Sequence, residues 1–207
     1  PFNFIYNKLI NRDKDMKLVP ELAESWKSLD ERTWEIKLRT GVKFHNGEDF
    51  NAEAVKFTLD RMKVPGATQV SSGYTTIEEV KTPDPHTVHI VTKRPDPLLP
   101  ARLAAWGAQM LPPGYVKEAG KEGLALKAIG TGPYKLAQWR KDDMLVLEAN
   151  PSYWGEKPKF GKVVFRPIRD ELARVSALTA GEVDIVVNIP VDFSERGLSR
   201  LELRGLV

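Results

Sequence analysis

The sequence predicts a mixed α/β protein, on three observations. Trp34, Ile36 and Leu38 alternate with Thr33, Glu35, Lys37 and Arg39, the two-residue period of a strand with one face in the core. Val55, Leu59 and Met62 then repeat at helical spacing along one apolar stripe. Towards the end, "KVVFRPI", a helical segment from Asp170 to Ala180 and "VDIVVNIP" follow one another within about 28 residues, the pattern of a right-handed strand-helix-strand crossover in a parallel sheet.

The elements follow in order. In residues 1–19, Phe4, Tyr6 and Leu9 are the expected buried positions. "PELAESW" reads as a short helix entered through Pro20, because proline suits a first helical turn. Past the strand "TWEIKLRT", Asn46-Gly47 marks a tight turn, and Asn51 is placed to cap a helix running to about Met62, with Glu53 in its first turn. The stretch from Val64 to Gly73 is rich in Gly, Ser, Thr and Pro and is expected to be a loop. "YTTIEEVKTPDPHTVHIVTKRP" is a hairpin that turns at "TPDPH". Leu98–Trp106 looks helical, "QMLPPGYV" extended and then turning, and Lys117–Lys127 weakly helical. Gly130-Thr131-Gly132-Pro133 opens a second hairpin, "YKLAQW" then "RKDD" then "MLVLEAN", whose far end "NPSYWG" closes. Gly181 is the expected stop of the last helix.

Composition narrows the function. An apolar content of 42% over 207 residues suffices for a packed core, so disorder is not the default. The net charge of +3 is small and basic residues are interleaved with acidic ones, which disfavours a nucleic-acid binder. Without cysteine the chain has neither disulfides nor thiolate metal sites. No apolar run approaches the ~18 residues of a membrane span, so a soluble chain, peripheral to a membrane at most, is expected. It opens at Pro1 without an initiator methionine, and a preceding segment, such as a secretion signal, is expected to have been removed or left out of the sequence.

Catalytic chemistry finds no support. Gly130-Thr131-Gly132-Pro133 lacks a following Gly-Lys-Ser/Thr, and Pro133 removes a backbone donor where a phosphate loop would need one, so the loop reads as a structural turn. His86 and His89 stand three apart in an extended stretch and face opposite ways, and His45 sits beside a turn, so no metal site is expected. The carboxylate pairs Glu48/Asp49, Glu78/Glu79 and Asp142/Asp143 are adjacent residues and form no acid/base dyad, and no nucleophile elbow is present. No catalytic residue and no cofactor is expected. Aromatic residues are the remaining candidates: Trp34 and Trp139 occupy alternating strand positions and are expected to pack, whereas Tyr74 and Trp106 lie in less regular segments that could face a ligand cleft.

Four phrases together resemble the peptide-class (family 5) solute-binding proteins of bacterial ABC importers, whose ligands include peptides, nickel complexes and opines. They are "KLVPELAESWKSLDERTWEIKLRTGVKFHNGEDFNAEAVKFTLDRM", "IEEVKTPDPHTVHIVTKRPDP", "GTGPYKLAQWRKDDMLVLEANPSYWGEKPKFGKVVFRPIRD" and "RVSALTAGEVDIV", in family order over most of residues 6–190. The resemblance implies a type II periplasmic binding protein-like fold in which two lobes close on a solute. It implies that residues 1–19 and 126–207 form part of a discontinuous first-lobe domain with 20–125 inserted into it. Family members being more than twice this length, the second lobe is expected to be absent. The implied function is capture of a solute, a di- or oligopeptide or another small molecule, outside the cytoplasmic membrane, followed by delivery to the permease subunits of an ABC transporter. A periplasmic or extracytoplasmic, membrane-associated monomer is implied, with no nucleic-acid partner. By the same resemblance Tyr74 and Trp106 are ligand-binding candidates, and Asn188 and Pro190 are neighbours of the hinge. With one lobe, weak binding or none is expected; a non-peptide solute, or a remnant domain without its own binding role, are the alternatives.

Overall fold

A computed structural model of the chain describes residues 2–66 and 68–188. They fall into two compact units, Pro1–Trp139 with Leu145–Val164, and Arg140–Met144 with the chain from Phe165 onward. The first begins with a single helical turn α1 (Phe2–Ile5) and two short antiparallel strands, β1 (Ile10–Arg12) and β2 (Leu18–Pro20). Its main element is a four-stranded antiparallel sheet of β3 (Ala23–Ser28), β4 (Thr33–Leu38), β5 (Ile77–Asp84) and β6 (Thr87–Thr92), in the spatial order β3-β4-β6-β5, with helix α2 (Ala52–Met62) between β4 and β5 in the chain.

The alternation read from "TWEIKL" is the burial pattern of β4: Ile36 and Leu38 are in the core while Lys37 is exposed. Val88 and Ile90 of β6 join that core, and α2 contributes Ala54, Val55, Leu59 and Met62. The Asn51 side chain caps α2 by accepting from the Ala54 N–H at 3.1 Å, so one of the four orphan donors of the helix start is satisfied. The expected hairpin is present, and at its turn the Asp84 carboxylate accepts the His86 N–H at 2.8 Å.

"PELAESW" is not a helix. Pro20 ends β2, and Ala23–Ser28 is a strand paired with β4, Trp26 opposite Ile36. Glu, Leu and Ala favour a helix only weakly, and the pairing partner plus the core positions of Leu22 and Ala23 outweigh that preference. Phe4, expected inside, is 37% exposed, with its ring 5.6 Å from that of Tyr134. Helix α3 (Leu99–Leu103) is shorter than the sequence suggests, and α4 (Pro113–Leu126) starts earlier. Glu48 explains the earlier start: its carboxylate accepts the Gly114 and Tyr115 N–H groups at 2.8 and 2.9 Å, a cap supplied from another segment. Gly120, with φ of 62°, breaks α4 in the middle, which accounts for its weak helical signature.

A three-stranded sheet β7 (Tyr134–Arg140), β8 (Met144–Ala149), β9 (Lys162–Phe165) follows, with the predicted turn over residues 141–143. In the second unit α5 (Glu171–Ala180) is capped by Asp170, whose carboxylate accepts the Ala173 N–H at 2.7 Å, and stops at Gly181 in the left-handed conformation. The strand expected at "VDIVVNIP" does not form over 183–188, where the described residues make no strand pairing and Ile185 and Val187 are exposed. Apolar alternation supplies a strand's surface but not the neighbouring strand that its hydrogen bonds require. Pro190 lies outside the described residues.

The loop Gly130-Thr131-Gly132-Pro133 sets β7 against the N-terminal segment. The Gly132 N–H donates to the Ile5 carbonyl at 2.8 Å. A methyl group at Gly130 would overlap the Ile5 carbonyl oxygen, and one at Gly132 would lie 2.5 Å from the Ile5 carbonyl carbon. Glycine is required here by close approach of two backbones, not by an unusual φ. Gly132→Ala is therefore expected to lower the urea unfolding free energy by about 1–3 kcal/mol. Gly161→Ala, at a glycine with open space around it, is expected to stay within about 0.5 kcal/mol of the parent.

Candidate functional site

The N-terminal segment places two unlike layers side by side. Asn7 is the centre of the polar layer and is almost fully buried. Its Oδ1 accepts from the Thr131 hydroxyl at 3.0 Å and from the Trp154 indole N–H at 3.3 Å. An indole can only donate, so the atom facing it is the amide oxygen. Nδ2 then donates to the Glu21 carboxylate at 3.0 Å and to the Tyr153 hydroxyl at 3.4 Å, which uses every hydrogen-bonding position of the side chain. Glu21 also accepts the Lys8 backbone N–H at 2.8 Å. Burial pushes the Glu21 carboxyl above its ordinary pKa, and the Asn7 and Lys8 hydrogen bonds pull it part of the way back.

His45 fastens the glycine loop from the other side. The Gly130 N–H donates to Nδ1 at 3.3 Å and Nε2 donates to the Gly132 carbonyl at 3.0 Å, while the His45 N–H donates to the Gly130 carbonyl at 2.8 Å. The two ring contacts require a neutral imidazole protonated at Nε2. Burial lowers the pKa of His45 from its usual 6.5, in keeping with that neutral form, and Lys135 adds to the lowering against the Gly132 hydrogen bond.

The second layer is aromatic. Trp106 is 60% exposed and meets Phe2 edge-on at 6.4 Å between ring centroids; Phe2 stacks on Tyr6, also at 6.4 Å. Burial raises the Tyr6 phenol to about 12, so it stays protonated at neutral pH. Phe2 and Tyr6 also line, with Ile5, Leu136, Trp139 and Leu126, an apolar groove of about 310 Å³. Trp139, expected to pack, is instead 46% exposed on that groove, because β7 has only exposed positions from Ala137 to Arg140. Trp34 packs against the core and donates to the Asp96 carbonyl at 3.1 Å.

Tyr74 and Trp106 are not equivalent. Tyr74 is 2% exposed and its hydroxyl donates to the Arg102 carbonyl at 2.7 Å, so its ring lies in the core beneath α3 and presents no open face. Its placement in a loop gave no sign of this, since loops seldom bury an aromatic. Asn188 takes a positive φ of 55° and its carbonyl accepts from Arg174 at 2.6 Å. Composition and spacing did not single out Asn7, Lys8 or Glu21; the one available signal is a polar pair in the apolar run "FIYNKLI". His89 bonds Glu35 at 3.2 Å, and among the described residues no group of three or more histidines and carboxylates is gathered to hold a metal.

The family model for bacterial extracellular solute-binding proteins, family 5, middle part, matches residues 17–201. The glutathione-binding protein GsiB of Pectobacterium atrosepticum is 36% identical over 190 residues, 90% of this chain and 37% of that protein. Of solved structures, the binding protein AgaA of A. tumefaciens R10 in complex with agropinic acid aligns with a TM-score of 0.87 at 29% identity, over 93% of this chain and 40% of that one. DppA of Helicobacter pylori in complex with the peptide STSA aligns with a TM-score of 0.84 at 28% identity, over 93% and 42%. The chain thus spans well under half the length of these relatives.

His45 gives a pH test. Above about 6.5, where the unfolded ring is neutral too, the clasp contributes fully; as pH falls towards the lower folded-state pKa, the unfolded chain takes up the proton first and stability is lost. Glu21 acts oppositely, since its raised pKa favours the folded state as acid is added. The loss of unfolding free energy from roughly pH 7 to pH 5.5 is therefore expected to be smaller in His45→Gln than in the parent, with Glu21 common to both. Asn7→Ala, which strips partners from Glu21, Thr131 and Trp154, is expected to cost on the order of 3 kcal/mol in the same urea assay at neutral pH.

Proposed function

We propose that this chain, which belongs to the bacterial extracellular solute-binding proteins of family 5, supplies one wall of the cleft in a binding protein that delivers a solute to an ABC permease. The family is one of solute-binding transport proteins and not of enzymes, and the fold is that of the peptide-class type II periplasmic binding proteins. The observation that carries the reading is the agreement in fold over 93% of the chain with binding proteins in complex with small solutes.

The proposed solute is a di- or oligopeptide. GsiB is named for glutathione and DppA holds a peptide, whereas agropinic acid in AgaA supports a non-peptide solute as the second reading. Residues 1–19 with 126–207 are proposed as the partial lobe-one domain and 20–125 as its insertion. Trp106 is proposed to face the solute, since its ring is open to solvent. Tyr74, a ligand-binding candidate by sequence whose ring is buried, is proposed to act indirectly, by holding the Arg102 carbonyl in the segment that leads to Trp106. Asn188, in a left-handed conformation, and Pro190 are proposed as hinge neighbours. The protein is proposed to act as a monomer outside the cytoplasmic membrane and in association with it. Closure would follow from a solute that contacts both lobes and so favours the closed state.

A solute site gains affinity by burying most of the solute, and a single wall leaves it open to water. Titration calorimetry of di- and tripeptides into the 207-residue chain is expected to give Kd values in the millimolar range or no heat. A micromolar Kd would overturn the one-wall account.

A further inference from the structure

The segment that carries Trp106 meets two donors that are not fully used among the described residues. Lys8 is 8% exposed, and its ammonium donates to one neutral acceptor, the Ala104 carbonyl, at 2.9 Å. Glu21 is close enough to act on this charge through space, but its hydrogen bonds go elsewhere, Oε2 to the Lys8 backbone N–H and Oε1 to the Asn7 and Asn11 amides. Arg12 adds a second positive charge nearby. An ammonium taken from water and offered a single carbonyl is under-compensated, and burial accordingly lowers its pKa.

The second donor belongs to Gln109, whose Nε2 is buried and has no acceptor among the described residues. Lys8 and Gln109 are directly opposite each other in an antiparallel bridge, so their side chains stand on one face of it. The carbonyl that holds the ammonium is two residues before Trp106, which meets Phe2 edge-on. A native protein seldom leaves a buried donor unpaired, and where it does the exception asks for a role. Two donors with spare capacity, one of them charged, on or against the short segment that also carries the exposed ring of Trp106, complement an anionic acceptor carried on an apolar group.

We propose that Lys8 and Gln109 form a carboxylate subsite beside Trp106, so that the solute wall of this chain selects a carboxylate attached to an apolar or aromatic group. The proposal rests on the solute-binding reading above and deepens it. Lys8 supplies the charge, Gln109 fixes one carboxylate oxygen, and Trp106 with Phe2 takes up the apolar part.

The test compares phenylacetate with its neutral isostere phenylacetamide, titrated into the ¹⁵N-labelled 207-residue chain and followed by NMR. Phenylacetate is expected to move the Gln109 side-chain amide and the Trp106 indole resonances saturably, with phenylacetamide at least about tenfold weaker, the difference a charge-assisted hydrogen bond gives. Lys8→Met is expected to abolish the preference for the anion. Gln109→Leu is expected to weaken phenylacetate binding while the spectrum stays that of the folded chain. Equal titrations by the two probes, or a phenylacetate response that moves neither Gln109 nor Trp106, would overturn the subsite. Because the probe comparison uses the parent chain, misfolding of a variant cannot mimic either result. Failure of the subsite alone would leave peptide capture by the longer relatives' architecture untouched, whereas the calorimetry above tests the one-wall account without reference to Lys8.

Discussion

The contact between the Ile5 backbone and the loop Gly130-Thr131-Gly132 holds the first unit in register. It joins segments more than 120 residues apart in sequence, as the Thr131 to Asn7 separation of 124 shows, and closing so long a loop costs entropy that the contact must outweigh. Three sets of groups converge there. The two glycines permit backbones to approach where a methyl group would collide. His45 bonds the loop from the α2 side, and Asn7 bonds it from the N-terminal side. Asn150 completes the enclosure by donating to the Gly132 carbonyl at 3.2 Å, so "NPSYWG" is tied to the same loop that begins the hairpin.

From this contact the placement of the aromatic surface follows. With Ile5 and Asn7 fixed, Phe2 and Tyr6 are held on one side and Lys8 is held against the 104–110 segment, where the Met110 N–H donates to the Asn7 carbonyl at 3.0 Å. The segment that carries Trp106 is therefore built on a chain crossing and not on a free loop. A binding surface positioned by rigid elements needs little reorganisation when a solute arrives.

Much of this fold was legible in the sequence, and the reasons differ by element. The strand at 33–38, the capped helix at 52–62 and both hairpins carry local signals: alternation, an Asn cap, turn residues. "PELAESW" carries a helical local preference while its partner strand lies ten residues on, and the alternation over 183–188 cannot report whether a neighbouring strand is present. The exposure of Trp106 accords with its place in an irregular segment, but the burial of Tyr74 and the exposure of Trp139 depend on what packs over each ring. Asn7 and Lys8 stood in plain view in an apolar run, and only the network that satisfies the first and under-satisfies the second gives them meaning.

With so many contacts converging on it, the glycine loop is expected to open only when the unit as a whole unfolds. Native-state hydrogen exchange of the Gly132 amide, which donates to the Ile5 carbonyl, measures this directly against the Leu38 amide, which donates to the His86 carbonyl within the core sheet. Equal exchange free energies, tracking global unfolding as denaturant is added, are the predicted result. A Gly132 amide that exchanges through a local opening, at a free energy lower by more than about 2 kcal/mol and insensitive to denaturant, would contradict it.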